Sequence, residues 1–398
     1  MSKPAPPRQA RQAPFVLLLA VEACSHAAMA MAQVALPWFV LEQSNDATLM
    51  GLVMLVLFAP AFVGSWIGGR WIDRYGAARI SMASELVSAA ALVLLAMLAI
   101  GAQLSIALLV ALLLVLALVD PAGFIAREAM TPALARLARV PLARANALRE
   151  GTTQAARIVA PLSAGAIITT LGMSWAWVAI GVAAVGAAAF NGALSWQRAW
   201  RDRPPVRGGG SAAAAAGVMS QPIVRRLLWV TVPLVAIDEP LESVVLPTAV
   251  FRSGQSALSL GGLDSAFNVG ALAGAALYGW RGAHLSGRAL LMACALAVSA
   301  TLLVFAAQAP YVWLFAAALL CGAAGGAVGP YLATQLQTRV PTALRGRALA
   351  AMAMFEMGGA VVGIALSAAL IERVGSAGLL VGFAALALAV AAAAWRVR

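Results

Sequence analysis

The sequence predicts an all-α polytopic membrane protein, with about twelve transmembrane helices arranged as two six-helix, pseudo-symmetric halves. Three observations carry that prediction. Hydrophobic residues make up 63% of the 398 and the mean hydropathy is +0.90, against roughly 45–50% apolar residues in a soluble domain. Apolar runs long enough to cross a hydrocarbon core of about 30 Å follow one another almost without interruption from Ala13 to Trp395. Basic residues, finally, are concentrated in alternate loops.

The runs are continuous rather than alternating, which indicates helices and not a β-barrel. They fall near 14–41, 48–69, 80–101, 103–125, 147–171, 174–196, 224–248, 258–280, 287–308, 311–334, 345–371 and 375–396. Of 27 basic residues, only Arg252 and Arg373 lie on one side. The other side holds Lys3, Arg8 and Arg11, then Arg70, Arg74 and Arg79, then Arg127 through Arg157, and so on to Arg396 and Arg398. Cytoplasmic loops accumulate Lys and Arg, so both termini are expected in the cytoplasm, with the chain spanning the bacterial inner membrane. The net charge of +12 then reports orientation, and no nucleic-acid partner is implied. Arg8, Arg11, an apolar segment and Ala28-Met29-Ala30 mimic a secretory signal, but the apolar run continues to Leu41 and the first helix is expected to stay uncleaved. Cys24, Cys294 and Cys321 fall inside spans at no metal-ligand spacing.

One linker stands out, Arg198 to Pro222, rich in Pro, Gly and Ala and basic. It divides the chain into a six-helix bundle at 1–197, a cytoplasmic linker at 198–222 and a second bundle at 223–398. Duplication is written in two recurrences. Arg139-Val140-Pro141 returns as Arg339-Val340-Pro341, and Val63-Gly64 with Gly68 returns as Val269-Gly270 with Gly274, at matching places in each half. Parallel halves around a central cavity follow. Gly322, Gly325, Gly326 and Gly329, like Ala156, Ala160, Ala164 and Gly165, are expected to let helices approach closely in lipid.

Between the second and third spans stands Gly69-Arg-Trp-Ile-Asp73-Arg74-Tyr-Gly76-Ala-Ala-Arg79. This resembles the loop signature of the major facilitator superfamily: Gly, then Asp-Arg four residues on, then Gly and a basic residue. The second-half counterpart, Gly279 to Arg288, keeps Arg281 and Arg288 and lacks the aspartate. Pro132-Ala-Leu134, Arg144-Ala-Asn146, Arg157-Ile-Val-Ala-Pro161-Leu-Ser-Ala-Gly165, Gln335 to Pro341, and Arg345-Gly346-Arg347 look like the enterobactin-exporter and macrolide-efflux branch, whose members are drug:proton antiporters. The resemblance covers nearly the whole chain. It implies the major facilitator fold and proton-coupled export of small organic molecules, siderophores or drugs. It also implies a conformational latch made by Gly69, Asp73, Arg74, Gly76 and Arg79 with Arg345 and Arg347, where the helix N-terminus adds partial positive charge. Arg157, Pro161 and Gly165 match the family's helix-bend motif, in which a Gly normally precedes the Pro; here that residue is Ala160.

Ionisable residues inside a membrane are costly, about 2.5–3.5 kcal/mol each on insertion scales, so each is a functional candidate. Glu22, His26, Met29 and Gln33 recur on one face of the first helix and are expected to line a cavity. Glu22 would bind a proton or a cationic substrate; alternatively, Glu22 and His26 simply satisfy each other at i,i+4. In the seventh helix Pro233, Pro240 and Pro247 permit bending. Asp238 and Glu242, with Glu239 beside them, form an outer carboxylate pair that shares a proton or else lies in water at the span's end. Asp264 and Asn268 on the eighth helix, and Glu356 on the eleventh, face either substrate or packing partners. Asp120 precedes Pro121 and is expected to accept hydrogen bonds freed by that kink, with Arg157 its candidate partner.

The chain is not expected to be an enzyme. Lys3 is the only lysine, which rules out a P-loop, and His26 and His284 are too far apart for a zinc-protease motif. No cofactor or metal is called for; the proton gradient supplies energy. The expected protein is a monomeric secondary transporter, surrounded by lipid, that exports a small amphipathic organic molecule by alternating access. The alternative is an uptake permease for a nutrient or metal chelate, because fold does not set direction. A scaffold without transport would tolerate loss of the buried acids.

Overall fold

The computed structural model describes residues 8–196, 221–281, 286–340 and 342–396, and every regular element among them is helical. In chain order they are α1 (Arg8–Ser44), α2 (Ala47–Tyr75), α3 (Ala77–Ile100), α4 (Ile106–Ala138), α5 (Leu142–Leu171) and α6 (Met173–Trp196). There follow α7 (Pro222–Pro240), a π-helical turn (Leu241–Val245), α8 (Leu246–Arg252), α9 (Ala257–Arg281), α10 (Gly287–Ala306), α11 (Tyr311–Gly326), α12 (Val328–Arg339) and α13 (Thr342–Arg396). Ten of the described helical segments are long and apolar enough to cross a membrane. The last of these, Ala351–Ala392, holds two rods that meet at Gly375, whose φ of 71° only glycine adopts freely. The path Pro222–Arg252, broken by its π-turn, is a further helical rod. Together these give the twelve rods that hydropathy predicts.

Two compact units result: Met1–Ala35 with Val56–Arg207, and Leu36–Leu55 with Gly208–Arg398. The adjoining ends of α1 and α2 thus belong with the second unit, a feature that the linker does not announce. Most of the linker at 198–222 lies outside the described residues, as does Pro341.

In the first unit α3 packs against α4 and α6. The recurring glycines explain the close approach of α2 to α4: a Cβ at Gly64 would stand 2.6 Å from Leu118 O, and one at Gly68 2.8 Å from Ala122 Cα. The second unit repeats this between α9 and α11. There a Cβ on Gly270 or Gly274 would strike the carbonyls of Leu319 and Ala323, and Gly322 and Gly326 press in return on those of Phe267 and Ala271. Gly325 and Gly329 have nothing within 4 Å of a Cβ, so only half of that expected glycine row packs.

Three contacts hold the ends of α1 and α2 inside the second unit. Trp38 meets Phe251 edge to face, with centroids 5.4 Å apart. A Cβ on Gly51 would lie 2.6 Å from Ala368 Cβ. At the start of α2 the Ala47 N–H donates to Glu372 Oε1 at 3.0 Å, and the same oxygen receives the Arg252 guanidinium. Glu372 therefore supplies a cap that α2's own sequence lacks at that N–H. Large apolar side chains cover the outside, and Trp175, Trp196, Trp280 and Trp313 stand exposed at or near helix ends, as an interfacial aromatic belt requires.

The glycine geometry has a measurable consequence. Gly322→Ala is expected to lower stability by about 1–3 kcal/mol through overpacking, whereas Gly358→Ala, at an exposed helical glycine with open space around its Cβ, should gain up to about 1 kcal/mol from helix propensity. Thermal unfolding of the two purified variants checks the opposite signs.

Candidate functional site

Apolar helices leave few polar side chains to pair, and in the first unit those few converge. Glu22 on α1 is 0% exposed. Its carboxylate takes Arg149 Nη2 of α5 at 2.8 Å and His26 Nε2 at 3.1 Å, and Nε of Arg127 on α4 lies 3.5 Å away. Arg127 is 4% exposed; its Nη1 donates to Glu85 of α3 and its Nη2 to Ser25 Oγ at 3.4 Å. One turn of α3 further on, Ser88 donates to Asp120 of α4. The result is a connected set of two carboxyls, two guanidiniums and one imidazole drawn from four helices, with a third carboxyl, Asp120, beside it.

Local sequence makes room for it. A Cβ on Gly123 would collide with Ser84 Oγ, so glycine one turn before Arg127 lets α3 and α4 close around the guanidinium. Ser84 Oγ donates to Val119 O at 3.1 Å, and the His26 ring stands edge-on to Phe124 at 6.1 Å. Pairing offsets the cost of taking charge out of water, and the offset is lost when one partner goes. Nε of Arg127 and Nε of Arg149 have no acceptor in hydrogen-bonding geometry among the described residues.

This arrangement revises three expectations. The Glu22 face was expected to line a cavity, but Glu22 is sealed among helices because two arginines neutralise it there. Arg127 and Arg149 group with the cytoplasmic basic residues in the sequence; the structure places them within α4 and α5, each against a carboxylate. Asp120 pairs with Ser88 and not with Arg157, which is exposed. Glu85, a lone acid in the apolar α3, carries in the sequence the same signal as Glu22 and joins the site beside it. Gln33 is partly buried farther along α1.

The second unit carries a different site. A cavity of about 20 Å³, room for one water molecule, is lined by Asp238, Glu242 and Asp264 together with Phe267, Thr301 and Phe305. The π-turn after Pro240 places Glu242 there. Ser243 Oγ donates to Glu239 O at 2.6 Å and Thr248 Oγ1 to Val244 O at 2.7 Å, so hydroxyls satisfy carbonyls where the helical ladder is disturbed. The helical path runs on past Glu242 to Arg252. Asp264 is added from α9. Asn268 instead donates to the Asp264 carbonyl at 2.9 Å, and neither Glu239 nor Glu356 is among the cavity's lining residues.

Around the loop signature, Gly76 ends α2 and starts α3 with φ 89°, which accounts for the motif's second glycine. Asp73, Arg74 and Arg79 are exposed, with the Arg74 guanidinium 5.4 Å from the Tyr75 ring centroid. Gly69 has open space around it. The side chains of Arg345 and Arg347 lie outside the described residues. Of the bend motif, Pro161 and Gly165 are buried in α5.

Residues 18–237 match the family model described as Major Facilitator Superfamily. The multidrug efflux pump Tap of Mycolicibacterium fortuitum is 29% identical over 389 residues, covering 95% of this chain and 93% of that protein. Tap of Mycobacterium tuberculosis H37Rv is 27% identical over 388 residues, covering 96% and 92%. Among solved structures, the nucleoside transporter NupG D323A mutant superposes with a TM-score of 0.80 at 11% identity, over 96% of this chain and 99% of that one. A D-xylose-proton symporter gives 0.74 at 13% identity, over 96% and 97%.

The buried network predicts strong coupling. Arg127→Gln should cost about 3–5 kcal/mol, because Glu85 and Glu22 lose a buried counter-charge. Glu85→Gln combined with Arg127→Gln should cost less than the sum of the two, with an interaction energy of about 0.5–3 kcal/mol. A double-mutant cycle of thermal stabilities reads this directly, and additive costs would contradict the pairing.

Proposed function

Because this chain belongs to the Major Facilitator Superfamily, we propose that it is a proton-driven exporter of small amphipathic organic molecules, neutral or cationic, working by alternating access. The observation that carries the reading is the set of carboxyls held inside membrane helices of the first unit, since such groups persist where ions or protons move. Cargo class is supported by the second unit, where three carboxylates and two phenylalanines surround one cavity and, among the described lining residues, no base does. Export is the direction in the printed names of the Tap relatives, and near-complete coverage of both chains supports carrying that sense over.

In this reading protons entering down their gradient discharge cargo outward, and the emptied transporter returns after releasing them inside. The π-turn and prolines of α7 and α8 provide the bend by which the acidic cavity opens to cargo. Asp73, exposed beside the α2–α3 turn, serves as a latch in the cycle and not as a cargo ligand.

Expression in a bacterial strain stripped of its own efflux pumps tests the function. Accumulation of a lipophilic cationic dye should fall when the wild-type chain is present and rise again with a protonophore. Glu22→Gln should restore accumulation to the level of the empty vector. Asp73→Asn should cut efflux by about tenfold or more while folded yield is unchanged, since an exposed substitution shifts stability by only about ±0.5 kcal/mol. Efflux that survives the protonophore would rule out proton drive; dye uptake increased by the chain would reverse the direction. Profiling retained and released metabolites of the native cell under iron starvation then reports whether a siderophore is the physiological cargo.

A further inference from the structure

The first unit's charges do not balance, and the imbalance falls on one residue. Glu22 is matched by Arg149 and His26, with Arg127 close by, and Glu85 is matched by Arg127. Two guanidiniums thus neutralise two carboxylates. Asp120, the third, accepts a single hydrogen bond, from the Ser88 hydroxyl, and among the described residues no basic group lies within ion-pairing distance of it.

We propose that Asp120 is the carboxyl of the first unit that takes up and releases the coupled proton, while Glu22 and Glu85 remain ionised as fixed counter-charges of Arg149 and Arg127. The assignment rests on the proton-driven reading above and names its carrier.

The chemistry favours Asp120 on two counts. Protonating Glu22 or Glu85 would strand a guanidinium inside the membrane without its counter-ion; protonating Asp120 breaks no ion pair. Ser88 serves both states, because a hydroxyl donates to the carboxylate and accepts from the carboxylic acid.

The ionisable surroundings of Asp120 are few. On α3, Glu85 lies one turn from Ser88, and on α4 itself Arg127 lies two turns away on the same face. From α1 come Glu22 and His26, and from α5, which also packs on α4, comes Arg149, bound to Glu22. Across α2, which packs on α4 through Gly64 and Gly68, the stretch from Ala47 to Gly69 carries no ionisable residue, and α6, packed on α3, carries none from Met173 to Trp196. Ionised Asp120 is drawn toward Arg127; neutral Asp120 is not. One proton therefore changes the balance around Arg127, the group that joins α1, α3 and α4. Each cycle takes one proton from one side onto the Asp120 carboxylate and gives it to the other, with no bond formed or broken except that O–H.

The test uses the full chain in liposomes with ethidium as cargo and a pH dye inside. Two readings are taken: ethidium transport driven by a pH gradient, and gradient-free exchange of labelled for unlabelled ethidium. Asp120→Asn should lower the driven transport and the accompanying proton flux by about tenfold or more while leaving exchange within about twofold. Driven transport at the wild-type level, or loss of both readings in a variant that elutes and melts like wild type, would overturn the assignment. Should Asp120→Asn fail to fold, Asp120→Glu keeps a carboxyl and should shift the pH profile of driven transport; an unshifted profile would also overturn it. A wild-type chain that exchanges ethidium but ignores the pH gradient would refute proton coupling itself, a different outcome from failure of Asp120 alone.

Discussion

The first unit depends on one constraint: a guanidinium inside a membrane must meet its carboxylates there. Arg127 satisfies it by bridging Glu85 on α3 and facing Glu22 on α1, from a position on α4 opened by Gly123. Three helices are thereby held in one register. Hydrophobic contact alone does not fix register between membrane helices, because lipid tails are as apolar as leucine. Glycine contacts set how closely the helices approach, and the ion pairs set which residues come opposite one another.

The two units repeat a backbone and differ in charge. Glycines four apart pack the second rod on the fourth in each, at Gly64 and Gly68 and again at Gly270 and Gly274. A small side chain at these places is a backbone requirement, so the duplicated pattern survives in both. The polar groups answer to no such requirement and have diverged. The first unit sets arginines against its acids, while the second gathers Asp238, Glu242 and Asp264 around a water-sized space.

Hydropathy made the rods legible, since crossing a bilayer is a demand on each segment by itself. The predicted spans at 174–196 and 258–280 match α6 and α9 within one residue at each end. Legibility fails where a residue's state depends on a distant partner. Arg127 reads as a loop arginine because its carboxylates come from α1 and α3, and Ala47 gives no hint of Glu372, 325 residues away. The Glu22–His26 pair was legible from i,i+4 spacing, and its capture by Arg149 was not. Prolines at 233, 240 and 247 announced a bend; that the bend is a π-turn presenting Glu242 toward Asp264 depends on α9. The loop signature was legible as pattern, and Gly76 now has its physical reason in a backbone angle.

The division of charge bears on how one chain exchanges cargo for protons. An acid that serves both must release one before it binds the other. Separating the tasks removes that competition. Under the proposed function the acidic cavity of the second unit holds cationic cargo, and the surplus carboxyl of the first answers to the proton. Coupling then has to pass through helix movement. A network centred on Arg127 suits that task, because losing or gaining the charge on Asp120 changes what the guanidinium is drawn toward while the pairs of Arg127 and Arg149 with Glu85 and Glu22 stay intact.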